Sequence, residues 1–309
     1  MTITARGVPL SPILRDRRRK EYLFVASFLV LPVLLLVVFS LLPVLGVTVV
    51  SFFRWDGLGK MSFRGFDYYK RIFTEPEYWR ALLNSLYYLV GAFVQLALAM
   101  LLATILTFTA KGKGFFKGMI FFPYLINGVA AGYMFYVFFE PSYGTLNSLL
   151  SLFGGTGPAS WLTNGDINNI LLAIVSVWRF LGLNFIMFLG VIASIDTGLY
   201  EAADLDGANS WQVFRYIIMP SIRPIVFLNM ILAVKGAISV FDVPYIITGG
   251  SFGTSSFVIE AYRVSFGQNP NLGLGSAMST IILIVVLAVT GVQQLFFGEN
   301  KKEGTHYAK

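Results

Sequence analysis

Leu199-Tyr200-Glu201-Ala202-Ala203-Asp204-Leu205-Asp206-Gly207-Ala208, with Ile217-Ile218-Met219-Pro220 close behind, is the stretch from which the rest of this chain can be read. Glu201 to Asp206 predicts a short helix with acids in its early turns, where the helix dipole favours negative charge. Gly207 supplies a left-handed stop, Asp196 or Thr197 can cap the first helix, and Asn209 or Ser210 can cap the next. Leu199, Tyr200, Ala203 and Leu205 give this small helix apolar surface although polar sequence surrounds it. A short, rigid, partly apolar helix slung between two long apolar runs reads as a docking element for a soluble partner.

Those apolar runs set the fold class. The chain has 309 residues, 56% of them hydrophobic and 13% charged, which is far more apolar and less charged than a soluble domain. Six segments are long enough to cross a bilayer as helices, near 22–48, 82–108, 116–139, 168–194, 220–245 and 275–298. The first follows Arg17-Arg18-Arg19-Lys20, but its apolar stretch is too long for a signal peptide and no small-residue cleavage site follows it. The chain divides into a basic arm (1–21), the first span (22–48), an outer loop (49–81), a core (82–298) that contains the loop 195–219, and a tail (299–309). Both termini are expected in the cytoplasm. Fourteen Lys and Arg then lie inside (six between Arg6 and Lys20, then Lys111, Lys113, Lys117, Arg215, Arg223, Lys301, Lys302 and Lys309). Seven lie outside: Arg54, Lys60, Arg64, Lys70, Arg71, Arg80 and Arg263. This fits the inner membrane of a bacterium or archaeon.

In the first outer loop, Thr74-Glu75-Pro76-Glu77 predicts a capping box at the start of an interfacial helix, with Tyr78, Trp79, Leu82 and Leu83 as its apolar stripe. Residues 140–167, rich in Gly, Ser and Asn, read as an exposed loop. Several chemistries are excluded. There is no cysteine, and the single histidine, His306, sits in the polar tail, so thiolate and His-based metal sites are unsupported. Gly59-Lys60 and Gly112-Lys113 lack the spacing and the Ser or Thr of a phosphate-binding loop, and no hydrolytic set of side chains is present. No nucleic-acid partner is expected.

The coupling loop resembles the EAA loop of ABC importer permeases: Glu-Ala-Ala, a glycine four residues after the last alanine, and an Ile-x-x-Pro ending, here Ile217 to Pro220. The run Tyr200 to Ala208 is similar to the carbohydrate-uptake branch that includes the maltose permeases, and Asn84, Trp178 and Thr248-Gly249-Gly250 agree with it. Where the family often has a proline before the Leu-Tyr pair, this chain has Asp196-Thr197-Gly198. The resemblance implies an all-α membrane protein with a five-helix permease core preceded by one extra helix. It implies Glu201, Ala202, Ala203, Asp204, Leu205, Asp206, Gly207 and Pro220 as the ATPase-coupling element. It also implies a second homologous permease subunit, two ATP-binding subunits that hold ATP and magnesium, and an external solute-binding protein. This chain itself would bind no cofactor and would not be the ATPase.

Charge at membrane depth is costly and marks either a cavity or paired packing groups. Arg179, Lys235 and Asp242 are the three candidates. Ser176, Arg179, Phe180 and Leu183 share a helical face, and helical spacing also puts Lys235, Ser239 and Asp242 on one. The resemblance places sugar contacts at Ser176, Arg179, Phe180, Leu183, Gly236, Ala237 and Val240, several of which depart from the family's residues. Asn127 and Asn184 add polar groups, and Trp178 is suited either to stacking on a pyranose or to aromatic packing. Ligand contact by Arg179 and Lys235 would favour an acidic or heavily hydroxylated saccharide. The alternatives are a permease for another solute, such as a polyol phosphate, and an ion-coupled transporter. The latter would need paired repeats and mid-membrane carboxylates.

Overall fold

A computed structural model describes residues 12–108, 112–155, 157, 160–165 and 167–297. Arg6, Lys111, the tail 299–309 with His306, and most of the arm 1–21 lie outside the described residues or have no described side chain. Apart from one small hairpin, the regular elements of the described residues are all helices. The first span is α1 (Pro12–Leu36), a π turn at Val37–Leu41 and α2 (Leu42–Val50). The hairpin pairs β1 (Phe53–Arg54) with β2 (Ser62–Phe63), antiparallel, Phe53 opposite Phe63. Then come α3 (Asp67–Thr74), α4 (Pro76–Leu83), α5 (Ser85–Phe108), α6 (Lys113–Leu125), α7 (Gly128–Phe138) and α8 (Thr145–Leu152). The second half holds α9 (Asn168–Ala193), α10 (Thr197–Leu205), α11 (Ser210–Val213), a π turn at Phe214–Ile218, α12 (Met219–Ile238), α13 (Asp242–Thr248), α14 (Phe257–Phe266) and α15 (Leu272–Phe297).

Among the described residues, five helical stretches are long and apolar enough to cross a membrane, and a bent pair makes a sixth if counted as one span. That pair is α6 and α7, which meet at 94°. Asn127 stands at the corner and caps α7, its side chain accepting from Val129 N at 2.9 Å. The helix expected over 116–139 is therefore broken: α6 ends at Leu125, two residues past Pro123, and the Asn127 side chain satisfies one of the donors that the second half exposes.

In lipid, helices associate through close packing rather than through loss of water contact, so small residues set where backbones approach. The α5–α9 pair shows this. Ala99 and Ala103 are fully buried, and a Cβ on Gly91 would lie 3.3 Å from Val177 Cγ2. On the other side of α9, a Cβ on Gly182 would come within 2.6 Å of the Ile120 carbonyl in α6. Phe185, Phe188, Ile192, Ile218 and Ile222 fill the core at the end carrying α10. At the opposite end a second core joins α3, α4, α14 and α15 through Tyr68, Ile72, Tyr78, Phe257 and Met278. By contrast, α1 is exposed from Tyr22 through Leu36, as expected of a helix apolar on every face.

Two local expectations are corrected. No capping box forms at Thr74, because α3 runs through that residue and its hydroxyl bonds back to the Arg71 carbonyl at 3.2 Å. Glu75, ion-paired to Arg71 at 2.8 Å, is instead the extended residue before α4, with Pro76 at its start. The 140–167 loop also contains structure of its own: α8 is held to the following segment by the Trp161 indole, which donates to Asn147 Oδ1 at 2.7 Å.

Candidate functional site: a membrane cavity and a coupling helix

The cavity is built where a span unwinds. α12 stops at Ile238 and α13 begins at Asp242, so Ser239, Val240 and Phe241 leave the helix inside what sequence predicts as one span. Irregular backbone at membrane depth is tolerated where it lines a cavity. The freed Val240 carbonyl accepts from Ser256 Oγ at 2.6 Å. Around this break lies a cavity of about 400 Å³, walled by α5, α9 and α12–α13. That volume lies within the range of small-molecule sites.

Of the residues singled out in the sequence, Ser176, Phe180, Leu183, Asn184, Ser239 and Asp242 line the cavity, as do Gly236, Ala237 and Val240. Trp178, Arg179 and Lys235 do not. Trp178 packs edge-on against Phe135, ring centroids 5.0 Å apart. Lys235 is exposed on α12 and has no ion pair among the described residues. The helical face proposed for Lys235, Ser239 and Asp242 does not exist, because the helix ends between the first and the last of them. Arg179 is 12% exposed at its side chain and reaches Asp242 Oδ2 at 3.3 Å, tying α9 to the start of α13. Its guanidinium carbon sits 4.9 Å from the Phe180 ring centroid. Gly128 makes room for it: a Cβ there would fall 2.6 Å from Arg179 Nη2.

Sequence reading missed the α5 wall, Tyr88, Ala92 and Gln95. Gln95, 8% exposed within an otherwise apolar run, was the available signal. Tyr88 is 4% exposed, and its hydroxyl has no partner among the described residues. Phe241, also in the lining, stacks on Tyr245 with centroids 4.7 Å apart. The lining is thus hydroxyl, amide, aromatic and small aliphatic, with Asp242 its one charged group and no cation among the described residues.

At the far end of the spans, α10 has well-formed caps. Asp196 Oδ1 accepts from Gly198 N at 2.9 Å. Because Thr197 already opens the helix, no acid occupies its first turn, contrary to expectation; Glu201 and Asp204 come later and Asp206 follows the last turn. Gly207 has φ +73, with Ala208 N donating to Ala203 O at 2.9 Å and Gly207 N to Asp204 O at 3.1 Å. These two bonds are the paired closure of a left-handed glycine stop. Asn209 and Gln212 then form a reciprocal capping box on α11, at 2.9 and 2.8 Å.

The helix has two faces. Tyr200 and Ala203 pack on the core, Tyr200 edge-on to Phe108 at 5.5 Å. Burial pushes the Tyr200 hydroxyl pKa up, and that oxygen has no partner among the described residues. On the other face Leu199 is 51% exposed and Leu205 90%, with Glu201, Asp204 and Asp206 exposed around them.

Residues 95–298 match the family described as the binding-protein-dependent transport system inner membrane component. The chain belongs to that family. Its relatives cover the chain almost from end to end. A probable ABC transporter permease protein YurN of Bacillus subtilis is 32% identical over 88% of this chain and 95% of the relative. The lactose transport system permease protein LacF of Rhizobium radiobacter is 30% identical over 91% and 94%. The sn-glycerol-3-phosphate transport system permease protein UgpA of Agrobacterium fabrum is 30% identical over 89% and 93%. Among solved structures, a bacterial ABC transporter involved in import of the acidic polysaccharide alginate matches with TM-score 0.79 at 21% identity, over 93% of this chain and 98% of that one. At that identity the likeness is one of fold. A binding-protein-dependent permease subunit accounts for the multi-pass architecture, and α10 lies within the matched residues.

Proposed function

We propose that this permease subunit imports a neutral saccharide or oligosaccharide. The supporting observation is the cavity lining: hydroxyl, amide and aromatic groups suit a polyol, and no lining Lys or Arg among the described residues is offered to a carboxylate or phosphate, Arg179 being engaged by Asp242. Arabinooligosaccharide, lactose and trehalose/maltose systems among the relatives agree with a saccharide. In this reading a second, homologous permease completes the path, and an external solute-binding protein delivers the solute. Glu201 to Gly207 dock in a cleft of one of two ATP-binding subunits, which hold ATP and magnesium. The end carrying α10 faces the cytoplasm, as do both termini.

The test is ATPase activity of the complete complex in proteoliposomes, with its binding protein and a panel of neutral oligosaccharides, uronate oligosaccharides and glycerol phosphate. Stimulation by a neutral member is expected. Stimulation confined to uronates or phosphate esters would overturn the neutral-solute reading and favour the polyol-phosphate alternative suggested by the glycerol-phosphate relative.

A further inference from the structure

The hairpin between the first span and α3 carries cations on the side of the membrane where the charge bias disfavours them. Arg54, Lys60 and Arg64 all belong to it, and all three line one polar cavity of about 860 Å³. Asp56 is the single carboxylate in that lining, and its Oδ1 already accepts from Leu58 N at 2.9 Å. None of the three cations has an ion pair among the described residues. Trp55, in the same wall, keeps its indole N–H buried without an acceptor among the described residues.

The position of this cavity is fixed by the ends of two spans. Arg54 comes just after Val50, where α2 ends, and Asn271 of the opposite wall immediately precedes Leu272, where α15 begins. The hairpin is held to that helix start by Leu272 N donating to Trp55 O at 2.8 Å. Glycine at 273 permits the contact, since a Cβ there would collide with the Phe53 carbonyl. The basic cavity therefore sits at headgroup level. The same hairpin bares Leu58 and Phe63, 82% and 71% exposed, as it would beside acyl chains.

We infer that this cavity binds the phosphate of an anionic phospholipid in the leaflet opposite the coupling helix. Net positive charge selects an anionic over a zwitterionic headgroup, arginines grip phosphate oxygens through paired N–H donors, and the apolar side chains accept the tails. The inference explains why outward-lying Lys and Arg are concentrated in this loop. It concerns a different site from the solute cavity, so it stands whatever the solute is.

The experiment uses the assembled complex in phosphatidylcholine vesicles carrying a trace of photoactivatable phosphatidylglycerol, with cross-linked peptides mapped by mass spectrometry. Labelling of the segment 53–64 is expected, with competition by excess phosphatidylglycerol and none by millimolar inorganic phosphate. Arg54→Gln with Arg64→Gln should reduce labelling about tenfold or more, near the loss expected for two headgroup-level charges. Arg54→Lys with Arg64→Lys should retain most of it, which guards against a folding defect. Equal labelling by a phosphatidylcholine probe would overturn the inference, as would indifference to the double glutamine variant or full competition by free phosphate. So would loss of all lipid preference together with protection by the solute-binding protein, which would make the hairpin a protein-docking surface.

Discussion

Gly207 holds a backbone conformation that a β-branched residue resists, in a place where nothing crowds its Cα: φ is +73 and no atom lies within 4 Å of where a Cβ would stand. A substitution there acts through the backbone alone. Gly207→Val should cost about 1–2 kcal/mol at the stop and unravel the last turn of α10. Gly207→Asn should be far milder, because asparagine tolerates the left-handed region. The readout is transport and sugar-stimulated ATPase activity at equal membrane level of the subunit; equal activity of the two variants would remove the stop from the coupling argument. Arg179 and Asn184 make a second contrast on the same helix. Asn184 is 6% exposed and lines the cavity, whereas Arg179 pairs with Asp242 and stays outside the lining. Asn184→Ala should raise the transport KM by about tenfold, the value of one lost ligand hydrogen bond of ~1.4 kcal/mol, with little change in recovered complex. Arg179→Gln should lower the recovered complex and leave the KM of the remainder unaltered. The reverse pattern would move Arg179 into the ligand site.

At the scale of elements, the two breaks in the spans give the bundle what unbroken helices would not: a crossing segment and an opening. The corner at Asn127 turns α7 across the bundle toward α13, close enough that a Cβ on Gly132 would come within 2.5 Å of Ile246. The gap at 239–241 opens backbone and side chains to the cavity. Asn127→Ala removes the cap of α7 and should cost about 1 kcal/mol, seen as a lower thermal midpoint of the purified complex. An unchanged midpoint would mean that packing of α7 against α13 alone holds the corner. Pro123 and Asn127-Gly128 marked the first break in sequence although the span was read through them; the second was not legible, and the reason is physical. Apolar spans look alike on every side, so a short unwound stretch inside one leaves the composition unchanged, and Ser239-Val240-Phe241 carries no proline or glycine to mark it. The loop around α10 was legible because its determinants are local: an Asp cap, a Gly stop and an Asn/Gln box follow one another between Asp196 and Gln212. Local logic also failed at Thr74, where continuation of α3 and the Arg71–Glu75 pair won over the capping-box pattern. Tyr88 and Gln95 joined the cavity through long-range packing of α5 on α9, which no spacing along the chain reports.

For the whole molecule, the decisive quantity is which end faces which compartment, because both the docking role proposed for α10 and the headgroup site inferred at the hairpin depend on it. Leu205, 90% exposed on α10, and Leu58, 82% exposed on the hairpin, lie at opposite ends of the spans. The chain contains no cysteine, so a cysteine placed at either position is the only thiol it has. A membrane-impermeant maleimide added to intact cells should label Leu58→Cys and leave Leu205→Cys unmodified. In inverted vesicles stripped of the ATP-binding subunits, Leu205→Cys should become reactive, and adding those subunits back should protect it. The bias of Lys and Arg in the sequence favours this orientation, since the expected topology assigns fourteen to the inner side and seven to the outer, four of the seven being Arg54, Lys60, Arg64 and Lys70 near the hairpin. Labelling of Leu205→Cys from outside would invert the molecule, and with it the docking role of α10 and the leaflet assigned to the basic cavity. Reactivity from inside without protection by the ATP-binding subunits would keep the orientation and remove Leu205 from the docked face.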